Sequence, residues 1–515
     1  MELPLAIDPS SAVALHRQVY DALRSAILHG RLRAGDRLPA TRVLAEQLSL
    51  SRTTVAEAYD QLQAEGYIQG KHGSGTYVAP DLPEETMQVT AGDGKQGAIA
   101  RHPVRLSQWG ERIATEDYQA LFRPPSQDEF QYDFRPHRVA QDLFPWDAWR
   151  GAAERALSGD RTRLLFYPPS AGHPELRELV AAHIRRYRAV VCSTDQIVIV
   201  NGIQQGLNLL VHLLLEPGDR VAVEDPGYPA ARLAFEARGL AVTQAPVDCD
   251  GLIVDRLADL PAHRLVHVTP SHQDPTGATL SLTRRLALLE LAERTGCLIL
   301  EDDYDSEFRY EGRPVESLQG LDRNGLVVYG GTFSKSVLAG LRIGFLVLPP
   351  ALVGPFVAAK SLWDSGAPML EQAVLAEFMR SGDFERHIRR MRRLYGNRRN
   401  ALLAALQTCF GDRVEVGERH GGLNMLITLD LPGSDAELAR AATGAGIGLR
   451  PASPYYSEPP TQPRFLMGFA AMTEEEIEVG VRKLGAVLHQ HKMPPPHTLG
   501  SAYTAGAVTR DKEVT

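Results

Sequence analysis

Cysteine is scarce: Cys192, Cys249, Cys297 and Cys409 are the only four in a chain of 515 residues. They are widely spaced and form no C-x-x-C pair. Neither a disulfide framework nor a zinc site is expected, no metal ligand set is read elsewhere, and a reducing cytoplasm fits. Long apolar runs are also missing. None approaches the ~20 residues that span a bilayer, and the opening MELPLAIDPSSAVALHRQ lacks a charged-then-apolar leader, so no membrane is expected. The chain has no overall excess of positive charge either. A net charge of −8 excludes a protein that is basic throughout, yet leaves room for a local nucleic-acid surface. Residues 12–80 hold eight Arg/Lys against six Asp/Glu, so charge alone does not single them out.

A chain of this length exceeds one ordinary core, which points to two or three domains. In residues 12–30, apolar Val19, Leu23, Ala26 and Ile27 recur at helical spacing. GRLRAGDRLP breaks that pattern with two glycines and a proline. A second short helix runs through Val43, Leu44 and Leu48. A third carries Val55, Ala58, Tyr59 and Leu62, with Ser51 placed to cap it. GYIQGKHGSGTYVAP then reads as two short strands with a glycine-rich tip. Three helices and a hairpin in about 70 residues make a winged helix-turn-helix over 12–80.

Residues 81–128 are polar and rich in Pro and Gly, and read as a linker. From 129 to 490, apolar strands alternate with helical segments. QIVIVNG, RVAVEDPGY, RLVHVTPSH, CLILEDDYD and GLVVYGGTFSK each end in polar or glycine residues. This α/β texture predicts a mostly parallel sheet with helices on both faces. Ligand sites in such sheets lie beyond the carboxyl ends of the strands. Residues 491–515 read as a disordered tail.

The stretch GGTFSKSVLAGLRIGF puts Lys335 among hydroxyls and Arg342 seven residues later. A lysine with a lowered pKa is a nucleophile toward aldehydes. Pyridoxal phosphate offers an aldehyde, a phosphate and a pyridine nitrogen, and a protein that holds it needs a partner for each. Lys335 is the candidate for the aldehyde. Thr332 and Arg342, with Ser334 beside them, suit the phosphate. NGIQQG (201–206) opens a helix after a strand, so Ile203 and Gln204 present backbone N–H groups there as well. Asp302 faces the ring nitrogen, Tyr304 reaches the ring hydroxyl, and Tyr228 stacks on the ring.

Residues 130–490 resemble fold-type I aminotransferases, the aspartate aminotransferase superfamily. The matching pieces are YPPSAGHPELRE, NGIQQGLN, EDPGYP, PSHQDPTG, EDDYDSEF and TFSKSVLAGLRIG, in that order. The resemblance implies the same roles. It adds Tyr167, expected to reach the phosphate on a neighbouring subunit. It also places Asp274 beside the cofactor's ring oxygen, where the family usually has Asn. Leu466 stands where the family carries an arginine for the substrate carboxylate, which leaves Arg450, Arg464 or no arginine at all for that role.

LPATRVLAEQLSLSRTTVAEAYDQLQAEGYIQGKHGSGTYV resembles the GntR family of bacterial transcription regulators. Arg52, Thr53 and Thr54 begin the helix expected to enter a major groove. Arg42 suits a backbone contact, and the tip Lys71, His72 and Gly73 suits the minor groove or phosphates. Ala40 stands where the family usually has Ser. The two resemblances on one chain are the arrangement of the MocR subfamily. They imply a double-stranded DNA operator, pyridoxal phosphate, a small amine or amino-acid effector (or the cofactor itself as signal), and a head-to-tail homodimer. An active aminotransferase with a fused DNA-binding domain is the alternative.

Overall fold

The structure, a computed structural model, describes residues 5, 7–11, 13–71, 75–82, 105–115, 130–159, 165–258, 260, 262–312, 316–418 and 420–490. His72, Gly73, most of the segment read as a linker and the tail 491–515 lie outside the described residues. The chain divides into two compact units, Met1–Arg105 and Leu106–Thr515.

The smaller unit holds helices α1 (Leu15–Leu28), α2 (Thr41–Leu48) and α3 (Arg52–Ala64), then the antiparallel strands β1 (Ile68–Lys71) and β2 (Gly75–Val78). Helix α1 buries Val19, Leu23, Ala26 and Ile27, the residues its spacing selects. They meet Leu44, Val55, Ala58 and Leu62 in a core of the unit's own. Ser51 caps α3 by accepting the Thr54 N–H at 3.1 Å. Ala40 takes the same position before α2 and has no side-chain cap.

The larger unit is built on an eight-stranded sheet. Its strands are β4 (Ile197–Val200), β5 (Arg220–Asp225), β6 (Ala241–Asp248), β7 (Gly251–Leu252), β8 (Leu265–Val268), β9 (Leu298–Asp303), β10 (Val327–Thr332) and β11 (Gly344–Val347). Their order across the sheet is β4-β11-β10-β9-β8-β5-β6-β7. The central strands run parallel, whereas β11 opposes both its neighbours. Both faces are covered. In β4, Ile197 and Ile199 enter one apolar cluster while Val198 and Val200 enter another, so the alternation of the strand is spent on two cores.

A short strand β3 (Tyr132–Asp133) precedes this sheet in the chain. Helices α4 (Ile203–Leu214) and α5 (Pro229–Arg238) follow β4 and β5. A second, antiparallel sheet contains β12 (Val414–Val416), β13 (Asn424–Leu429), β15 (Arg450–Pro451) and β16 (Arg464–Gly468), ordered β12-β13-β16-β15. Strand β14 (Ile447–Gly448) pairs instead with β3. The Phe134 N–H donates to the Gly448 carbonyl, and the Gly468 N–H donates to the Phe134 carbonyl, each at 2.8 Å. That pinning leads the chain to His137, at the cavity described next. Near the start of the unit, a short helix, Gln108–Ile113, carries Arg112, whose guanidinium donates to the Ala237 carbonyl at 3.0 Å.

Candidate functional site

One edge of the larger sheet collects the side chains expected to hold a ligand. Asp302 lies near the end of β9, with Tyr304 just beyond it, and Thr332 ends β10. Tyr228 is the residue before α5, and Gly202 the residue before α4. Strand β11 runs the other way, so it begins where its neighbours finish. Gly344 pairs with both Thr332 and Val200, which brings Arg342 to the same edge. The approach is close: a Cβ on Gly344 would stand 3.1 Å from the Gly202 Cα.

Lys335, Asp302, Tyr304, Tyr228, Ile203, Gln204, Thr332, Ser334, Arg342 and Asp274 all line one cavity of about 160 Å³. Tyr167 does not; it is 91% exposed. Arg342 adopts a left-handed backbone at φ 52°, and its guanidinium lies against the start of α4. A Cβ on Gly202, itself at φ 76°, would come 2.5 Å from Arg342 Nη2. Thr332 Oγ1 donates to Ser334 Oγ at 3.0 Å beside them. A guanidinium, a helix N-terminus and two hydroxyls thus share one end of the cavity, which is the chemistry of an anion site.

At the other end, Asp302 Oδ2 is 3.4 Å from His267 Nε2. Its Oδ1 is buried without a hydrogen-bond partner. A buried carboxylate oxygen left in that state is costly unless a donor reaches it. The Tyr228 ring faces His267 at 6.4 Å. The Tyr304 hydroxyl meets His272 Nδ1 at 2.9 Å, and that nitrogen also lies 3.2 Å from Asp305 Oδ1. Burial pulls Lys335 below the usual lysine value, against the opposing pull of Asp305 and Asp274. That enlarges the fraction of free amine at neutral pH. Burial pushes Asp274 up to about 7, against the pull of His272 and Lys335.

His137, Thr269 and Gly202 line the same cavity and were not singled out in the sequence. His267 had a readable signal, a polar residue inside the apolar strand RLVHV. His137 had none: its left-handed backbone, φ 66°, appears only in the structure. A non-glycine residue there costs about 1–2 kcal/mol. Neither arginine candidate lines this cavity, and Arg450 is exposed. Arg464 donates to the Tyr456 hydroxyl at 2.7 Å and lies outside this cavity. The charge of Arg450 is felt at His137, where it helps burial and Lys335 hold the imidazole well below its ordinary value.

In the smaller unit, Arg52 and Thr53 are exposed at the start of α3. The Thr54 hydroxyl is turned to Ser51, 2.8 Å away. Arg42 is exposed on α2 and lies 3.6 Å from Glu46. Lys71 ends β1.

The geometry defines a winged-helix unit joined to an aminotransferase fold with a pocket at its strand ends. Residues 15–78 match the model of bacterial regulatory proteins of the gntR family, and residues 138–484 match aminotransferase class I and II. The chain is similar to the probable rhizopine catabolism regulatory protein MocR of Rhizobium meliloti, at 36% identity over 93% of this chain and 95% of the relative. It is also similar to the HTH-type pyridoxine biosynthesis transcriptional regulator PdxR of Corynebacterium glutamicum, at 30% identity over 92% and 96%. Among solved structures it resembles LysN, the α-aminoadipate aminotransferase of Thermus thermophilus, complexed with N-(5'-phosphopyridoxyl)-L-leucine. That likeness has a TM-score of 0.67 and 28% identity, over 75% of this chain and 97% of LysN. The chain belongs to the MocR subfamily of GntR-type transcriptional regulators. Among the described residues no helix is long and apolar enough to cross a membrane, and no His/Cys/Asp/Glu group could hold a metal ion.

Proposed function

We propose that the larger unit binds pyridoxal phosphate at Lys335 and that a small amine or amino-acid effector acting there sets how the smaller unit holds operator DNA. The observation that carries this reading is the single cavity shared by Lys335, the unpartnered Asp302 Oδ1 and the Arg342–Gly202 pair. The residues fit the group. Arg342, Thr332, Ser334 and the N–H groups of Ile203 and Gln204 would take the phosphate, and Asp302 would accept from a protonated ring nitrogen. Tyr228 would cover the ring, Tyr304 and Asp274 would stand at its oxygen, and Tyr167 would serve a neighbouring subunit in a head-to-tail homodimer. When bound, the cofactor supplies an aldehyde for a primary amine and a ring that withdraws electrons from it.

The chain's own residues do the rest. Lys335, whose pKa burial lowers, presents its amine to the cavity. Asp302 Oδ1 would hold a proton on the ring nitrogen, while Oδ2 lies 3.4 Å from His267 Nε2. Arg42, Arg52, Thr53 and Thr54 contact a double-stranded operator, with Lys71, His72 and Gly73 at the wing. An effector shifts the regulator only through different affinities for its two states.

The test pairs absorbance with a DNA-shift assay. Wild type incubated with pyridoxal phosphate gains a visible band that Lys335→Ala lacks. The variant still binds operator but loses its response to amines. A colourless wild type, or a variant that responds normally, sinks the reading. The near-complete cofactor set and the likeness to LysN favour a second reading, a working aminotransferase. Sustained turnover with a keto-acid acceptor decides for it.

A further inference from the structure

His137 combines three features that seldom meet by accident. Its backbone is left-handed, it is not glycine, and its side chain lines the Lys335 cavity. Such a conformation persists where the surroundings impose it and a side chain has a use. The imposition is visible. Strand β3 is tied to β14, Phe134 is tied to both Gly448 and Gly468, and the His137 N–H donates to Asn424 Oδ1 at 3.0 Å.

That last bond settles more than the backbone. A main-chain N–H can only donate, so the Asn424 oxygen must be the atom that faces it. The amide nitrogen is then the atom 3.4 Å from His137 Nδ1. An amide nitrogen only donates, so Nδ1 accepts and the ring proton sits on Nε2. Asn424 is 4% exposed and lies on β13, so the arrangement is held by a sheet. Among the described residues no partner meets Nε2. The imidazole therefore offers one fixed N–H donor.

We propose that His137 reads the effector: its Nε2–H donates to an acceptor oxygen on a small amine whose amino end faces Lys335. This rests on the function proposed above and narrows it. The preferred class is a short amino acid or an equivalent amine with an anionic end. A plain alkylamine leaves the donor unanswered, and the charge of Arg450 nearby adds to the preference for an anion. A site built around a donor discriminates against the analogue that lacks the acceptor, because the N–H the ligand covers is then left unpaired.

Full-length protein loaded with pyridoxal phosphate tests this. Shifts of the visible band are titrated with three matched pairs: glycine and ethylamine, β-alanine and propylamine, 4-aminobutanoate and butylamine. Each protein's own unliganded band is the zero point. In wild type, the acid member of at least one pair acts at about tenfold lower concentration than its amine. In His137→Gly, which relieves the left-handed strain, that ratio falls below about threefold. In His137→Asn, which tolerates the same backbone and restores an N–H donor, most of the ratio returns. A glycine variant with the wild-type ratio overturns the role of His137, as does a wild type that prefers no acid over its amine. An absent band in wild type overturns instead the cofactor reading beneath it, and the inference falls with it.

Discussion

Arg450 on β15 stands directly across the antiparallel ladder from Leu466 on β16. Cross-strand partners project from the same face of a sheet. An arginine at 450 is thus the near neighbour of the place where aminotransferases usually carry theirs, while Arg464 is occupied with Tyr456. Arg450→Gln is expected to weaken carboxylated amines about tenfold or more, since a charge-assisted hydrogen bond contributes about 1.5–3 kcal/mol. Plain alkylamines should be unaffected. Arg464→Gln should leave both classes unchanged. Titration of the visible band separates the two arginines.

Asp274 gives a pH dependence with a definite sign. Its folded value, about 7, lies above the 3.8 of an ordinary aspartate. Its contribution to stability is therefore full below pH 3.8 and lost as pH rises through about 7. Asp274→Asn removes that loss. The variant is expected to melt a few degrees above wild type at pH 8, with the gap narrowing by pH 5.5. Differential scanning calorimetry of the full chain checks it; a gap that does not change with pH counts against it.

The reading helix makes a second kind of claim. Arg52→Ala should cost about 1–3 kcal/mol on a specific operator and relax specificity at one position. Arg42→Ala should weaken specific and non-specific DNA alike and lower the salt slope by about one unit. The Arg42–Glu46 pair does not offset this, because its partners are 79% and 70% exposed and such pairs contribute little. DNA-shift titrations at several salt concentrations distinguish the two.

Ala40 precedes helix α2 and gives it no side-chain cap. Ala40→Ser should stabilise the smaller unit by about 0.5–2 kcal/mol. Urea unfolding of the full chain, followed at the transition of that unit, measures it. No change would mean the serine hydroxyl fails to reach the first-turn N–H groups.

Much of this was legible in the sequence because it is local. Val19, Leu23, Ala26 and Ile27 announce a helix by spacing alone, and Ser51 announces where α3 begins. The strands announce the cavity, since each apolar run stops within two residues of the one that lines it: Asp302 after CLILE, Thr332 after VVYGG. What was not legible is non-local. The opposition of Arg450 and Leu466 depends on a ladder register between strands separated by a loop. The Asn424 amide that fixes His137 is 287 residues away from it. Nothing in the letters DFRPHRV marks a left-handed histidine.

The tie between His137 and Asn424 mounts the imidazole on a plate. Asn424 pairs with Gly468 on β16, and β16 carries β15 on its other side. The ring is therefore seated on four strands joined edge to edge rather than on a loop, and its outer nitrogen holds its place as firmly as that sheet does.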